Sequence, residues 1–332
     1  ALARHDLVAV AAAVALLTTA NSFDVVHAEQ LHAVAHTAPA RRRGVPVVMR
    51  AQNVESVLWR FAAGFRKGLV GWALRREAGR LRAWEAAAVA GVEATVALTR
   101  GDADALSRLA PGARVEEVAA PFPAQLPQAP EMLPGAPAVV VLASGGWLPN
   151  RDAMRRFVLH TWPVVRRRVP GAVLHLFGDA DSAAGDGVVR HPAPEDSRAA
   201  FPPGAVAAIP ARHPTGIPMK GLEAWARGLP VVAVPEAVEA LGAVDGHHLL
   251  VVRDADGMGA ALATLAAEPA LGVRLVAGGR EMLLRRHAPT VVCARLEAVY
   301  AGLRAAAAGP RSCPPAGRCS RPTGPGQRSR SR

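Results

Sequence analysis

Short apolar runs, many of them β-branched, recur along the chain and alternate with stretches of helical periodicity. Phe23–His27, Val45–Met49, Val92–Leu98, Val139–Leu142, Val173–Gly178, Ala205–Ile209 and Val231–Val234 are each bounded by Gly, Pro or polar turns. Unbroken runs of that length suit strands buried on both faces of a parallel sheet. Between them, Gly68–Ala90 places Leu74, Ala78, Leu81, Trp84 and Ala88 on one helical face. Arg75, Arg76, Arg80 and Arg82, interrupted by Glu77 and Glu85, form a charged remainder that reads as a solvated face. Further helices are expected after Asp152 through Arg166, over Met219–Arg227, from Glu236, as a pair across Ala260–Arg286, and over Val291–Ala306. Strand and helix in alternation predict an α/β protein with mainly parallel sheets. The Pro- and Gly-rich stretch from Ala180 towards Pro210 offers no clear elements before its last apolar run.

At 332 residues the chain is long enough for two domains. Pro121, Pro123, Pro127, Pro130, Pro134 and Pro137 mark a linker, giving a first domain over 1–120, a linker over 121–137 and a second domain over 138–308. Residues 309–332 hold only Arg, Pro, Gly, Ser and a few other small or polar residues, and are expected to be disordered. The apolar run Leu7–Leu17 reads as a strand or as a weak signal peptide. It lies behind Arg4 and His5, but Asp6 abuts it and Leu-Val-Ala-Val reads equally as a strand, which favours the strand.

Composition narrows the classes. With 51% hydrophobic and 20% charged residues the chain is globular. Its net charge of +12 owes six cations to the 309–332 tail. The rest of the excess suits anionic lipid or phosphorylated substrates, and the Gly68–Ala90 helix is a candidate peripheral membrane contact. One Tyr and seven Phe, with no basic stripe among them, argue against nucleic acid as partner. The three cysteines show neither metal-ligand spacing nor a disulfide framework, which points to a cytoplasmic setting and to no metal. His247 and His248 adjoin on an expected strand, where their side chains diverge.

The densest chemistry lies between Gly216 and Pro235, read as loop, helix, turn and strand. A loop entering a helix exposes unpaired amides and the positive end of a dipole, which suits a phosphate. Lys220 adds a full charge in the first turn, and Glu223, one turn on, is placed to accept sugar hydroxyls. Lys220 paired with Glu223 on a solvated face is the plainer alternative. The string resembles the donor-site signature of the retaining GT-B glycosyltransferases of group 1 (family 4), Gly-x-Pro-x-Lys-x-x-Glu-Ala-x-Ala-x-Gly-x-Pro-Val-Val. Arg50, Asn53 and Glu55 resemble the same family's Arg-x-His-Asn-x-Glu segment, with Gln52 in the histidine position. Residues 143–152 resemble its Gly-Ser-x-x-x-Arg/Lys-Pro-Asn-x-Asp loop, matching at Pro149, Asn150 and Asp152, with Leu148 where a basic residue is frequent.

The resemblance implies two Rossmann-like domains facing a cleft, the first of them incomplete at its start. It implies transfer of a sugar from a nucleoside-diphosphate donor to an acceptor hydroxyl, with retention and without a metal or other cofactor. Lys220, Arg212, Glu223 and Gln52 would carry the chemistry. Gly145, Gly146, Asn150 and Gly178, with Thr215, Gly216, Ile217, Met219 and Leu222, would line the donor site. Arg50, Asn53 and Glu55 would face a glycan or lipid-linked acceptor. Asn150 reads equally as the cap of the helix that follows, and Thr99 or Asp102 as the cap of another. Thr215 replaces a glutamate frequent in the family, and Gln52 cannot move a proton as imidazole can. These departures keep open a second reading, a diverged remnant that binds nucleotide sugar without turnover.

Overall fold

The computed structural model describes residues 8–142, 148–178, 185–210, 212 and 215–307, without the side chains of 148, 149 and 307. The first lobe runs α1 (Val8–Ala20), β1 (Val26–Glu29), α2 (Ala38–Arg42), β2 (Val47–Ala51), α3 (Glu55–Gly64), α4 (Gly68–Gly91), β3 (Ala94–Ala97), α5 (Arg100–Leu109) and β4 (Val115–Glu117). Its four strands are parallel and lie in sequence order.

The second lobe opens with β5 (Ala138–Leu142), α6 (Leu148–Arg156), α7 (Trp162–Arg168), β6 (Val173–Phe177), β7 (Val188–His191) and β8 (Val206–Ile209). It continues with α8 (Met219–Ala226), β9 (Val231–Ala233), α9 (Pro235–Leu241), β10 (Leu250–Val251), α10 (Ala255–Ala267) and α11 (Pro269–Met282), and α12 (Pro289–Ala307) ends the described chain. All six strands are parallel, in the order β10-β9-β8-β5-β6-β7. The order reverses between β5 and β8, so the crevice at their carboxyl ends is where an open α/β sheet holds a ligand.

Each sheet is covered on both faces. Val139, Val141, Leu174 and Val232 pack beneath α7 and α10, while Val140, Ala207, Val231 and Ala233 pack against Leu222, Trp225 and Leu229 around α8. Val47, Met49 and Ala97 meet Leu81, Val89 and Leu106 on one face of the first sheet. On its other face Val48, Ala94 and Val96 meet Val292, Val299 and Leu303 of α12, so the last described helix packs back onto the first lobe. The crossings run side by side: Phe122 N–H donates to His287 O at 2.7 Å, and His287 Nδ1–H donates to Ala120 O at 2.8 Å.

Several expectations need correction. The run from Leu7 is not a strand: from Val8 it is helix α1, alanine-rich, with the Thr18 and Thr19 hydroxyls donating one turn back to Val14 O and Ala15 O at 2.7 Å each. A short apolar run has no period of its own, and alanine settles it towards helix. The helix expected through Arg166 is broken by a wider π-type turn over Phe157–Thr161 and reaches Arg168. Among its described residues, the stretch without clear elements holds β7 and a 3₁₀ turn over Ser197–Ala200. His247 and His248 lie in a turn rather than on a strand, with ring centroids 4.5 Å apart and nearly perpendicular.

Candidate active site at the interlobe cleft

The loop before α8 is fixed by the opposite lobe. Gly216 has φ 80°, and a Cβ there would lie 2.3 Å from Asn53 Oδ1, so both backbone conformation and close approach require glycine. Its N–H donates to Asp102 Oδ2 at 2.9 Å, the Thr215 hydroxyl donates to Asp102 Oδ1, and Val54 N–H donates to Thr215 Oγ1 at 2.7 Å. Thr99 supplies the cap of α5, accepting from Asp102 N–H at 3.1 Å. The Asp102 carboxylate, buried between the lobes, is thereby free to latch the donor-side loop.

The latch changes the expected phosphate cradle. The Gly216 amide is taken by Asp102, Met219 N–H donates to Ile217 O at 2.9 Å, and Gly221 N–H donates to Pro218 O at 2.8 Å. Fewer amides therefore remain for an anion than loop geometry alone suggests, and more of the work falls to Lys220. That side chain is largely withdrawn from water, and burial alone lowers its pKa to about 8. No acid among the described residues offsets the cost, so the site holds a partly desolvated cation without a counterion.

Glu223 is not the partner of Lys220. Its Oε1 accepts from Ser197 Oγ at 2.5 Å and from Arg227 Nε and Nη2 at 3.0 and 2.8 Å. Arg227 also donates to Pro127 O, tying α8 to the linker. One carboxylate oxygen of Glu223 is thus spent on fixing the helix. Arg212 is exposed, with Nε 3.7 Å from Glu236 Oε1. It joins Arg156 and Arg253 around a cavity of about 340 Å³ that Phe61 and Phe65 close from the first lobe.

Of the other expected donor contacts, Leu222 is corrected. It is 0% exposed and belongs to the core under the loop, because it lies on the face of α8 that packs on the sheet. Ile217 packs partly against the same core, and Met219 is exposed. Gly178 closes β6, its N–H donating to His191 O at 3.2 Å. Asn150 is buried, and it is no cap, since α6 begins two residues earlier. Gly145 and Gly146 lie outside the described residues.

On the first lobe Gln52 and Asn53 meet the donor-side loop, since Gln52 O also lies 3.4 Å from the Cβ position of Gly216. Gln52 Nε2 donates to Glu29 Oε1 at 2.8 Å, and Arg50 Nη1 lies 3.7 Å from Glu29 Oε2. Glu55 has its pKa raised, by burial first and then by Glu85, against a hydrogen bond from Asn53. Glu85 is a second correction: placed on a solvated face by periodicity, it is 1% exposed. Its carboxylate accepts from Glu55 N–H at 2.7 Å, Ser56 N–H at 3.2 Å and Ser56 Oγ at 2.6 Å. Helix α3 opens on Val54, which has no capping side chain, so a residue of α4 caps it. Burial raises the pKa of Glu85 while those hydrogen bonds lower it.

Asp102, Ser197 and Glu85 escaped sequence reading. Asp102 hid inside a Thr-x-x-Asp capping pattern, and only the close approach forced by Gly216 could have hinted at a partner. Among the described residues no group of three or more His, Cys, Asp or Glu is placed to hold a metal ion. No single described helix is long and apolar enough to cross a membrane; one bent pair, from Ala255 to Ala306, passes by length and composition only.

Residues 138–268 match the family model described as glycosyl transferases, group 1. No curated protein matches the chain in sequence. Among solved structures, sucrose-phosphate synthase from Thermosynechococcus elongatus aligns with a TM-score of 0.65 at 16% identity, over 86% of this chain and 74% of that one. HepE from Anabaena in complex with UDP-glucose aligns with 0.61 at 14%, over 88% and 82%. TarM aligns with 0.66 at 9%, over 88% of this chain and only 58% of that one. At such identities the likeness speaks for the fold. Two parallel α/β lobes with a loop wedged between them give the chain the GT-B fold that these structures share. Within it, the match to the group 1 glycosyl transferase model falls in the second lobe.

Proposed function

We propose that the chain moves a sugar from a nucleoside-diphosphate donor to an acceptor hydroxyl, with retention at the sugar carbon and without an obligate metal, in surface polysaccharide or glycolipid synthesis. One observation carries the reading: Lys220 stands at the opening of α8 as a desolvated cation with its pKa lowered to about 8 and no offsetting acid among the described residues. Departure of a nucleoside diphosphate builds negative charge, and a preorganised cation stabilises that charge without reorganising. The complexes of HepE with UDP and with UDP-glucose support a nucleotide sugar as the ligand of the same fold. Glu223 would use its remaining oxygen on the ribose, Arg212 would flank the diphosphate, and Gln52 and Asn53 would meet the transferred sugar. Leu69, Val70 and Trp72, exposed at 85%, 60% and 56% beside Arg66, Lys67, Arg75 and Arg76, favour peripheral contact with anionic lipid at a cytoplasmic face.

A second reading is favoured by the latch. With Thr215 and Gly216 held by Asp102 and an amide in the histidine position, the site would bind donor without turning it over. Calorimetry with UDP, UDP-glucose and GDP-mannose, followed by product detection by mass, separates the two. Binding with a glycosylated product supports transfer, binding without product supports the remnant, and no binding of any nucleotide contradicts both.

A further inference from the structure

A cavity of about 670 Å³ opens on the second lobe, at the end of its sheet away from the interlobe cleft. It lies at the amino ends of three strands: Pro137 precedes β5, Val206 opens β8 and Pro230 precedes β9. An open α/β sheet holds its usual ligand at the carboxyl ends, so this space is separate from the donor site. Its size is within the roughly 300–1,000 Å³ of pockets that take a small molecule. Much of the wall is apolar, from Leu265 of α10, Val273 and Val276 of α11, and Pro230. Gln128 of the linker and Arg280 of α11 also line it, and no acid among the described residues does. Both converge on Gly228, in the turn that ends α8. A Cβ there would lie 3.0 Å from Gln128 Nε2 and 3.1 Å from Arg280 Nη2, and φ 81° keeps the position for glycine. Gln128 Nε2 spends one hydrogen on Arg227 O, at 2.5 Å, and keeps the other. Arg280 Nε is buried without a hydrogen-bond partner. A buried donor left unpaired costs stability, so packing alone gives no reason for a guanidinium here.

We propose that this cavity is a binding site for an amphipathic carboxylate, a medium-chain fatty acid. The carboxylate lies over Gly228 and accepts from Arg280 and from the second amide hydrogen of Gln128. A guanidinium presents its N–H groups as a planar fork that matches two carboxylate oxygens. The alkyl chain covers Leu265, Val273, Val276 and Pro230 and takes their surface out of water. A phosphate or a sugar fits less well, because one cation beside an apolar wall leaves most of its oxygens unpaired. The site stands whether or not the cleft transfers a sugar.

The test is calorimetry on the full chain with decanoate, octanoate and decanol, each kept below the concentration at which it self-associates. Decanoate should bind saturably, and octanoate more weakly by about two- to four-fold for each methylene lost. Decanol, which lacks the charge, should bind about ten-fold more weakly than decanoate. Arg280→Gln should weaken decanoate about ten-fold and leave decanol unchanged. Val273 is 71% exposed, so Val273→Asp leaves the fold intact, and it should weaken both ligands by setting an acid against the chain. Lys220→Met, at the other end of α8, should bind decanoate as wild type does. Unfolding temperatures of the unliganded variants show which are folded, and Val273→Asp decides alone if Arg280→Gln is not. Absence of saturable decanoate binding, equal affinity for decanoate and decanol, or undiminished decanoate binding in a folded Arg280→Gln or Val273→Asp overturns the site. Loss of decanoate binding in Lys220→Met would put the carboxylate in the cleft and overturns it as well.

Discussion

Lys220 shows how burial of a single charged residue costs stability. Its pKa is lowered to about 8 from the 10.5 of a free lysine, so the folded protein holds fewer protons than the unfolded chain between those values. Stability contributed here rises with pH from about 8 to 10.5 and is lowest below 8, where the buried ammonium is fully charged. Replacing it by methionine keeps the aliphatic stem and removes the charge. Lys220→Met should raise the unfolding free energy at pH 7 by on the order of 1–2 kcal/mol, discounted from the full shift for residual solvent, while weakening UDP binding. Chemical denaturation and calorimetry on the same samples check both directions. A variant that is less stable, or that binds UDP as tightly, contradicts the assignment.

Among the elements, α3 depends on α4 rather than on its own sequence. Val54 cannot cap it, and Glu85 reaches across to accept from Glu55 and Ser56. Glu85→Ala leaves two amides and a hydroxyl without partners in a buried place, and should cost about 2–4 kcal/mol in equilibrium unfolding. Glu85→Gln, which keeps an acceptor oxygen, should cost clearly less. The same pair marks what sequence could and could not tell. Helix α4 was legible in extent from its apolar face, and Leu81 and Ala88 are buried as that face requires. Glu85 was misplaced because periodicity assigns faces by polarity, whereas a carboxylate enters a core when enough donors meet it. Helix α1 was misread for a different reason: an apolar run carries no alternation by which strand and helix could be told apart.

For the whole molecule, the two parallel sheets and the loop–helix–strand of 216–235 were legible, because buried parallel strands and glycine–proline punctuation are local signals. What joins the lobes was not. Asp102 and Thr215 are 113 positions apart, and their hydrogen bond exists only once two independent cores have formed. The return of α12 to the first sheet is of the same kind, since its apolar face would have suited either lobe. The account therefore turns on one claim: the interlobe cleft grips a nucleoside diphosphate through a desolvated lysine at the opening of α8. Calorimetry of UDP binding at pH 8, repeated in buffers of different ionisation enthalpy, reads the protons exchanged. Proton uptake on UDP binding is expected at pH 8 and absent in Lys220→Met, because the anion restores the lysine's charge. UDP that binds at pH 8 with no proton uptake, or with the same uptake in Lys220→Met, would contradict the claim.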